Sequence, residues 1–93
     1  MKTFDVLPMP EIHDIMKDRL AAASCIVAAR IMGKNLVCFN GNFRRFSVPL
    51  EEFTVTARGV TPDFNDLHID DWGNTVRLGK YEIASDYIIG VSL

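Results

Sequence analysis

The rhythm of apolar and polar positions changes along this chain, and each change marks an expected element. Met1 to Pro10 opens with Phe4 and Val6 alternating against Thr3 and Asp5, a brief period-two pattern that fits a short edge strand. Pro8 and Pro10 stop any ladder there, because proline has no N–H to donate. From Glu11 the period lengthens. Ile12, Ile15, Met16 and Leu20 recur at helical spacing, with Asp14, Lys17, Asp18 and Arg19 elsewhere on the wheel. Pro10 suits a first helical turn and Glu11 the positive end of the helix dipole, so one helix is expected from about Glu11 to Leu20, ending within Ala21 to Ser24.

Strand signals follow. Ser24 to Met32 is rich in β-branched residues, Gly33, Lys34 and Asn35 supply a turn, and Leu36 to Phe39 is apolar throughout. Asn40-Gly41 reads as a two-residue hairpin, since both residues tolerate positive φ. Phe43 to Val48 completes a β-meander that Pro49 closes. Leu50 to Phe53 fits a short helical turn with Glu51 and Glu52 in solvent. Thr54 to Pro62 reads equally as a strand or a loop. Leu67 and Ile69 alternate with His68 and Asp70, and Asp71 to Asn74 forms a turn. Thr75 to Leu78 returns, with a kink or bulge at Gly79-Lys80 before Tyr81 to Ala84. Ser85 is the expected N-cap of a last turn, Asp86 to Ile89, ended by Gly90.

The order is helix, three strands, helical turn, two strands and terminal turn. Short connections favour antiparallel neighbours. The expected fold is α+β: a small antiparallel sheet, meander plus C-terminal hairpin, with one N-terminal helix packed on one face.

Composition narrows the function classes. Ninety-three residues suit a single domain, and 48% hydrophobic content supplies a core. A net charge of −2 gives no general pull toward nucleic acid or anionic membrane, so direct nucleic-acid binding is not expected. No apolar run reaches the ~18–20 residues of a membrane span, and Met1 to Pro10 lacks the basic start and apolar core of a secretory signal. A cytoplasmic location is the expectation. Cys25 and Cys38 sit in apolar runs and read as reduced core thiols.

Three stretches carry a family resemblance. Phe46-Ser47-Val48-Pro49-Leu50 ends an early hairpin in a proline-leucine step. Thr61-Pro62-Asp63-Phe64 leads into Leu67-His68-Ile69-Asp70. Trp72 to Leu78 is followed by an acidic residue and by Ser85-Asp86-Tyr87-Ile88-Ile89. From about Asn35 to Ile89 the chain thereby resembles the bacterial domain-of-unknown-function family 2442. It departs at Leu78-Gly79, where the family usually has tryptophan-proline, and in carrying a helix before the strands. The resemblance implies a small α+β domain of bacteria and mobile elements and brings no catalytic residues.

The residues that could carry chemistry are few. His13 and His68 are the only histidines, and with Cys25 and Cys38 they match no metal-ligand spacing. Asp63, Asp66, Asp70 and Asp71 form an acidic cluster without the ligand pattern of a calcium loop. They read as solvated turn carboxylates or as a patch for a basic partner. Arg44 and Arg45 flank Phe43 and Phe46, a combination that grips phosphates or stacks on bases. Trp72 stands at a turn among acids, either as an interface anchor or folded back over the core. Phe39, Phe43, Phe46 and Phe53 exceed what one face of a small sheet must bury, which hints at an interface. No serine lies in a nucleophile motif and no glycine loop is built for phosphate, so neither an enzyme nor a cofactor is expected.

The expected function is a non-enzymatic protein-interaction module of a bacterium, phage or mobile element. Its sharper form is an inhibitor of a nucleic-acid-guided defence complex, as anti-CRISPR proteins are, acting sterically or by offering Asp63, Asp66, Asp70 and Asp71 to a basic groove, with Trp72 as a further candidate partner contact. The alternative is a small nucleic-acid-binding or regulatory module using Arg44 and Arg45. The chain is expected as a monomer or a homodimer.

Overall fold

The computed structural model describes residues 1–53 and 59–92. It has the expected α+β class, with seven strands among the described residues, in two antiparallel sheets. The first sheet is a meander: β1 (Phe4–Val6), β2 (Ile26–Met32), β3 (Asn35–Asn40) and β4 (Arg45–Pro49). The second holds β5 (Leu67–Asp70), β6 (Thr75–Leu78) and β7 (Tyr81–Ala84). Inward residues of both sheets, including Leu36, Cys38, Phe46, Val48, Leu67, Ile69, Val76, Leu78 and Ile83, form one core.

The two sheets are joined through β1. On one side it pairs with β2, Phe4 opposite Arg30 and Val6 opposite Ala28. On the other, the Lys2 N–H donates to the Asn65 carbonyl (2.6 Å) and the Leu67 N–H to the Lys2 carbonyl (2.9 Å). The Ile69 N–H donates to Asp5 Oδ2 at 2.8 Å. A half-buried carboxylate thus stands in for a backbone acceptor at the seam, and Lys2 Nζ lies 3.2 Å from its other oxygen. The alternation of Phe4 and Val6 with Asp5 is therefore used in reverse: the aspartate turns inward and both apolar side chains face solvent.

The N-terminal helix is broken in two. α1 (Met9–Lys17) and α2 (Arg19–Ser24) meet at Asp18, whose backbone is extended at φ −103° and ψ 116°. Its carboxylate accepts from the N–H groups of Leu20 (3.0 Å) and Ala21 (3.3 Å), a local bond that ends one helix and caps the next. The single stripe expected from the sequence is split by this break. Ile12 and Ile15 reach the core, whereas Met16 and Leu20 stay exposed.

Other local expectations also change. Asn40-Gly41 is not a two-residue hairpin. The Phe43 N–H donates to the Asn40 carbonyl, the Asn40 N–H to the Arg44 carbonyl, and the positive φ falls on Phe43 at 60°. That is a three-residue loop with a left-handed last position. Gly41 is needed for space: a Cβ there would stand 2.7 Å from Ala22 Cα and 2.9 Å from Ile15 Cγ2. Gly79-Lys80 is a hairpin turn between β6 and β7 and not a kink, with Gly79 at φ 65°. Ser85 does not cap the last helix. It is the buried first residue of α3 (Ser85–Val91), its N–H extending the β6–β7 ladder to the Asn74 carbonyl at 2.9 Å. Gly90 lies inside α3 rather than ending it. The Leu50–Phe53 helical turn forms as expected, with Glu51 and Glu52 exposed. Residues 54–58, within the stretch that read as strand or loop, lie outside the described residues.

Candidate functional site

Strand register fixes which side chains share the outer face of the four-stranded sheet. One row across it reads Val6, Ala28, Phe39, Arg45, and the next reads Phe4, Arg30, Val37, Ser47. Met32, Asn35 and Pro49 form a third. Phe4 is 58% exposed, Met32 48% and Val6 45%, while Val37 at the centre is buried. Phe4 is paired with Arg30 and Phe39 with Arg45, so each arginine lies across from an aromatic ring. No outward residue of these strands is a carboxylate, because Asp5 has turned to the seam. The face is apolar, aromatic and cationic within an acidic chain.

At one end the face continues into a cavity of about 330 Å³ lined by Lys34, Asn35, Pro49, Leu50, Glu51 and Phe64, so one carboxylate stands at that end. At the other end stands the β3–β4 loop, where Phe43 is 61% exposed. The buried Asn40 organises that loop. Its Oδ1 accepts from the N–H groups of Asn42 (3.0 Å) and Arg44 (2.9 Å), and its Nδ2 donates to the Ala23 carbonyl (3.2 Å) of α2. One side chain thereby holds the loop shape and ties it to the helix.

The residues singled out from the sequence are only partly brought together. Arg44 and Arg45 diverge: Arg45 joins the outer face, while the Arg44 guanidinium carbon lies 5.5 Å from the Phe46 ring centroid. Of the four phenylalanines, Phe46 and Phe53 enter the core and Phe39 and Phe43 do not.

Three of the four aspartates gather around Arg77: Asp63 and Asp66 line a cavity with it, and Asp70 accepts a hydrogen bond from it. Asp63 Oδ1 accepts from the Asn65 N–H at 2.9 Å in a local turn. Asp66 Oδ1 lies 2.6 Å from His68 Nε2, and Arg77 Nε donates to Asp70 Oδ2 at 2.7 Å. That bond, with Asp70's charge, raises the Arg77 pKa. Asp71 alone reaches the far turn, exposed.

Trp72 does not fold over the core, for its side chain is half exposed. Asp71, Trp72 and Gly73 all adopt positive φ (53°, 52° and 83°), a left-handed turn that bulky residues rarely enter. Two bonds to the Asp71 carbonyl hold it, from the Asn74 N–H (3.0 Å) and from Asn74 Nδ2 (2.8 Å). Gly73 is pressed so closely on β2 that a Cβ would stand 2.5 Å from the Ile26 carbonyl oxygen.

Among the described residues no group of three or more His, Cys, Asp or Glu side chains could hold a metal ion. No helix of the described residues is long and apolar enough to cross a membrane. Burial pushes the Cys38 thiol up to about 12, and burial also raises that of Cys25.

Phe4, Val6, Arg30 and Met32 were missed in the sequence. The available signal was the alternation of Ala28, Arg30 and Met32 within β2, which places a cation mid-strand on the face opposite Ala29 and Ile31. No family model, no curated protein and no solved structure matches the chain.

Proposed function

We propose that the protein is a non-enzymatic protein-interaction module that docks through the outer face of its four-stranded sheet. The observation that carries this is the contiguous surface of Phe4, Val6, Met32 and Phe39 with Arg30 and Arg45 and no outward carboxylate. Interface cores are enriched in aromatics, methionine and arginine and depleted in acids. Exposed apolar patches beyond a few hundred Å² mark interaction sites. The fitting partner is a protein surface with an apolar centre and carboxylates placed to meet Arg30 and Arg45.

A benzoyl-phenylalanine photocrosslinker at position 4 tests the reading, with the same probe at exposed Asp14 or Lys17 of α1 as controls. Crosslinking to one protein from position 4, lost on Arg45→Glu, supports it. Equal products from all positions refute it.

A nucleic-acid partner is the second reading, favoured by the Phe4–Arg30 and Phe39–Arg45 pairs. Single strands bind where bases stack on aromatics beside cations, with a steep salt dependence. Gel shift of single-stranded DNA or RNA at low salt, abolished by Arg30→Glu, decides for it. Inhibition of a nucleic-acid-guided complex through the aspartates has less support. Asp66 and Asp70 are already met by His68 and Arg77, so a basic groove would have to displace those partners.

A further inference from the structure

A second surface lies on the other sheet. Among the described residues, β7 has a strand neighbour on one side only, β6. The tight turn at Gly79-Lys80 makes Leu78–Tyr81 and Val76–Ile83 the hydrogen-bonded pairs of that ladder. The Glu82 N–H and C=O and the Ala84 N–H therefore point away from β6. Beside this edge runs a groove of about 200 Å³ lined by Phe53, Tyr81, Glu82, Ile83, Ala84 and Tyr87. Its aromatic side is set: Phe53 and Tyr81 meet edge to face at 6.1 Å, and Tyr87, 44% exposed, donates its hydroxyl to Glu52 Oε2 at 3.3 Å. Glu52, Glu82 and Asp86 are all exposed around it, against two cations, Lys80 at the turn end and Arg77 across from Glu82 on β6.

We propose that the β7 edge takes an extended basic peptide by strand addition, with main-chain bonds to Glu82 and Ala84 and cationic side chains against Glu52, Glu82 and Asp86. An open edge beside a helix supplies affinity through backbone bonds, and the groove supplies side-chain choice. The charge of the rim selects lysine or arginine over glutamate. This surface is independent of the outer face of the four-stranded sheet.

The probe is a capped octapeptide alternating lysine and valine, titrated into the ¹⁵N-labelled full chain. The amides of Glu82 and Ala84 are expected to shift and to gain protection from hydrogen exchange. Affinity should fall about tenfold on Glu82→Lys and again with added salt. Two control peptides separate the terms: one with glutamate for lysine, and one N-methylated at alternate amides, which keeps charge but cannot pair with a strand. Neither should bind. Equal binding of the N-methylated peptide, shifts confined to the outer face of the other sheet, or no shift of β7 at millimolar peptide would overturn the proposal. The peptide controls leave the protein unaltered, so they stand even if Glu82→Lys fails to fold.

Discussion

Replacing Asn40 by alanine is the sharpest test of how the β3–β4 loop is held. The side chain is 3% exposed and makes three hydrogen bonds, two into its own loop and one to the Ala23 carbonyl. Each is worth roughly 0.5–1.5 kcal/mol net, so the set is worth about 2–4 kcal/mol. The Asn42 and Arg44 N–H groups lie near solvent and can recover part of this from water, which favours the lower half of that range. For a domain of this length about 2–3 kcal/mol corresponds to a Tm drop of roughly 8–24 °C. Urea unfolding, followed by Trp72 fluorescence and far-ultraviolet circular dichroism, measures it, with an unchanged m-value as the check that both states keep their extent. Asn40 Nδ2 ties the loop to α2, so the Ala23 carbonyl is the group that loses its donor in the variant. A loss below about 0.5 kcal/mol would show that Asn40 merely fills space and that the loop is held by its backbone bonds.

Other outcomes follow from the same structure. Gly73→Ala should cost more than about 3 kcal/mol or prevent folding, since it joins left-handed strain to a collision with the Ile26 carbonyl, whereas Gly33→Ala, at similar φ in open space, should cost about 1–2 kcal/mol; paired urea titrations compare them. Phe4→Ser and Met32→Ser should change stability by less than about 0.5–1 kcal/mol while weakening partner capture about tenfold or more, and a large loss of stability would mean the face is structural. Cys38 has its folded pKa raised from an ordinary 9.0 to about 12, so its contribution is complete below pH 9 and is lost as pH rises from there toward 12. Relative to Cys38→Ala, the native chain should lose about 1.4 kcal/mol of stability per pH unit in that window, and parallel curves would refute the burial argument. At pH 8 neither thiol should react with iodoacetamide until denaturant is added, which mass spectrometry detects.

Elements whose signals are local were legible in the chain alone. The strands around residues 26–32, 35–40 and 45–49, their antiparallel order, the turn at Gly33 and the helical turn at Leu50–Phe53 follow from period, β-branching and turn residues within a few positions. The interruption at Asp18 was also local, but its capping bond competes with a continuous apolar stripe, and only geometry tells which wins. What the sequence left open was decided by residues far apart in the chain. Alternation in β1 shows that its two faces differ, not which is inside. Pairing with a strand whose Ile69 amide, 64 residues away, lacked an acceptor turned Asp5 in and Phe4 and Val6 out. Register acted over shorter separations too: Arg45 begins β4 and joins its outer face while Arg44, one residue earlier, lies over Phe46, and the pairing of β5 with β6 brought Arg77 to Asp70, whereas Asp66 meets His68 only two residues along the chain. A docking face is a property of register, and register is set by the tertiary fold.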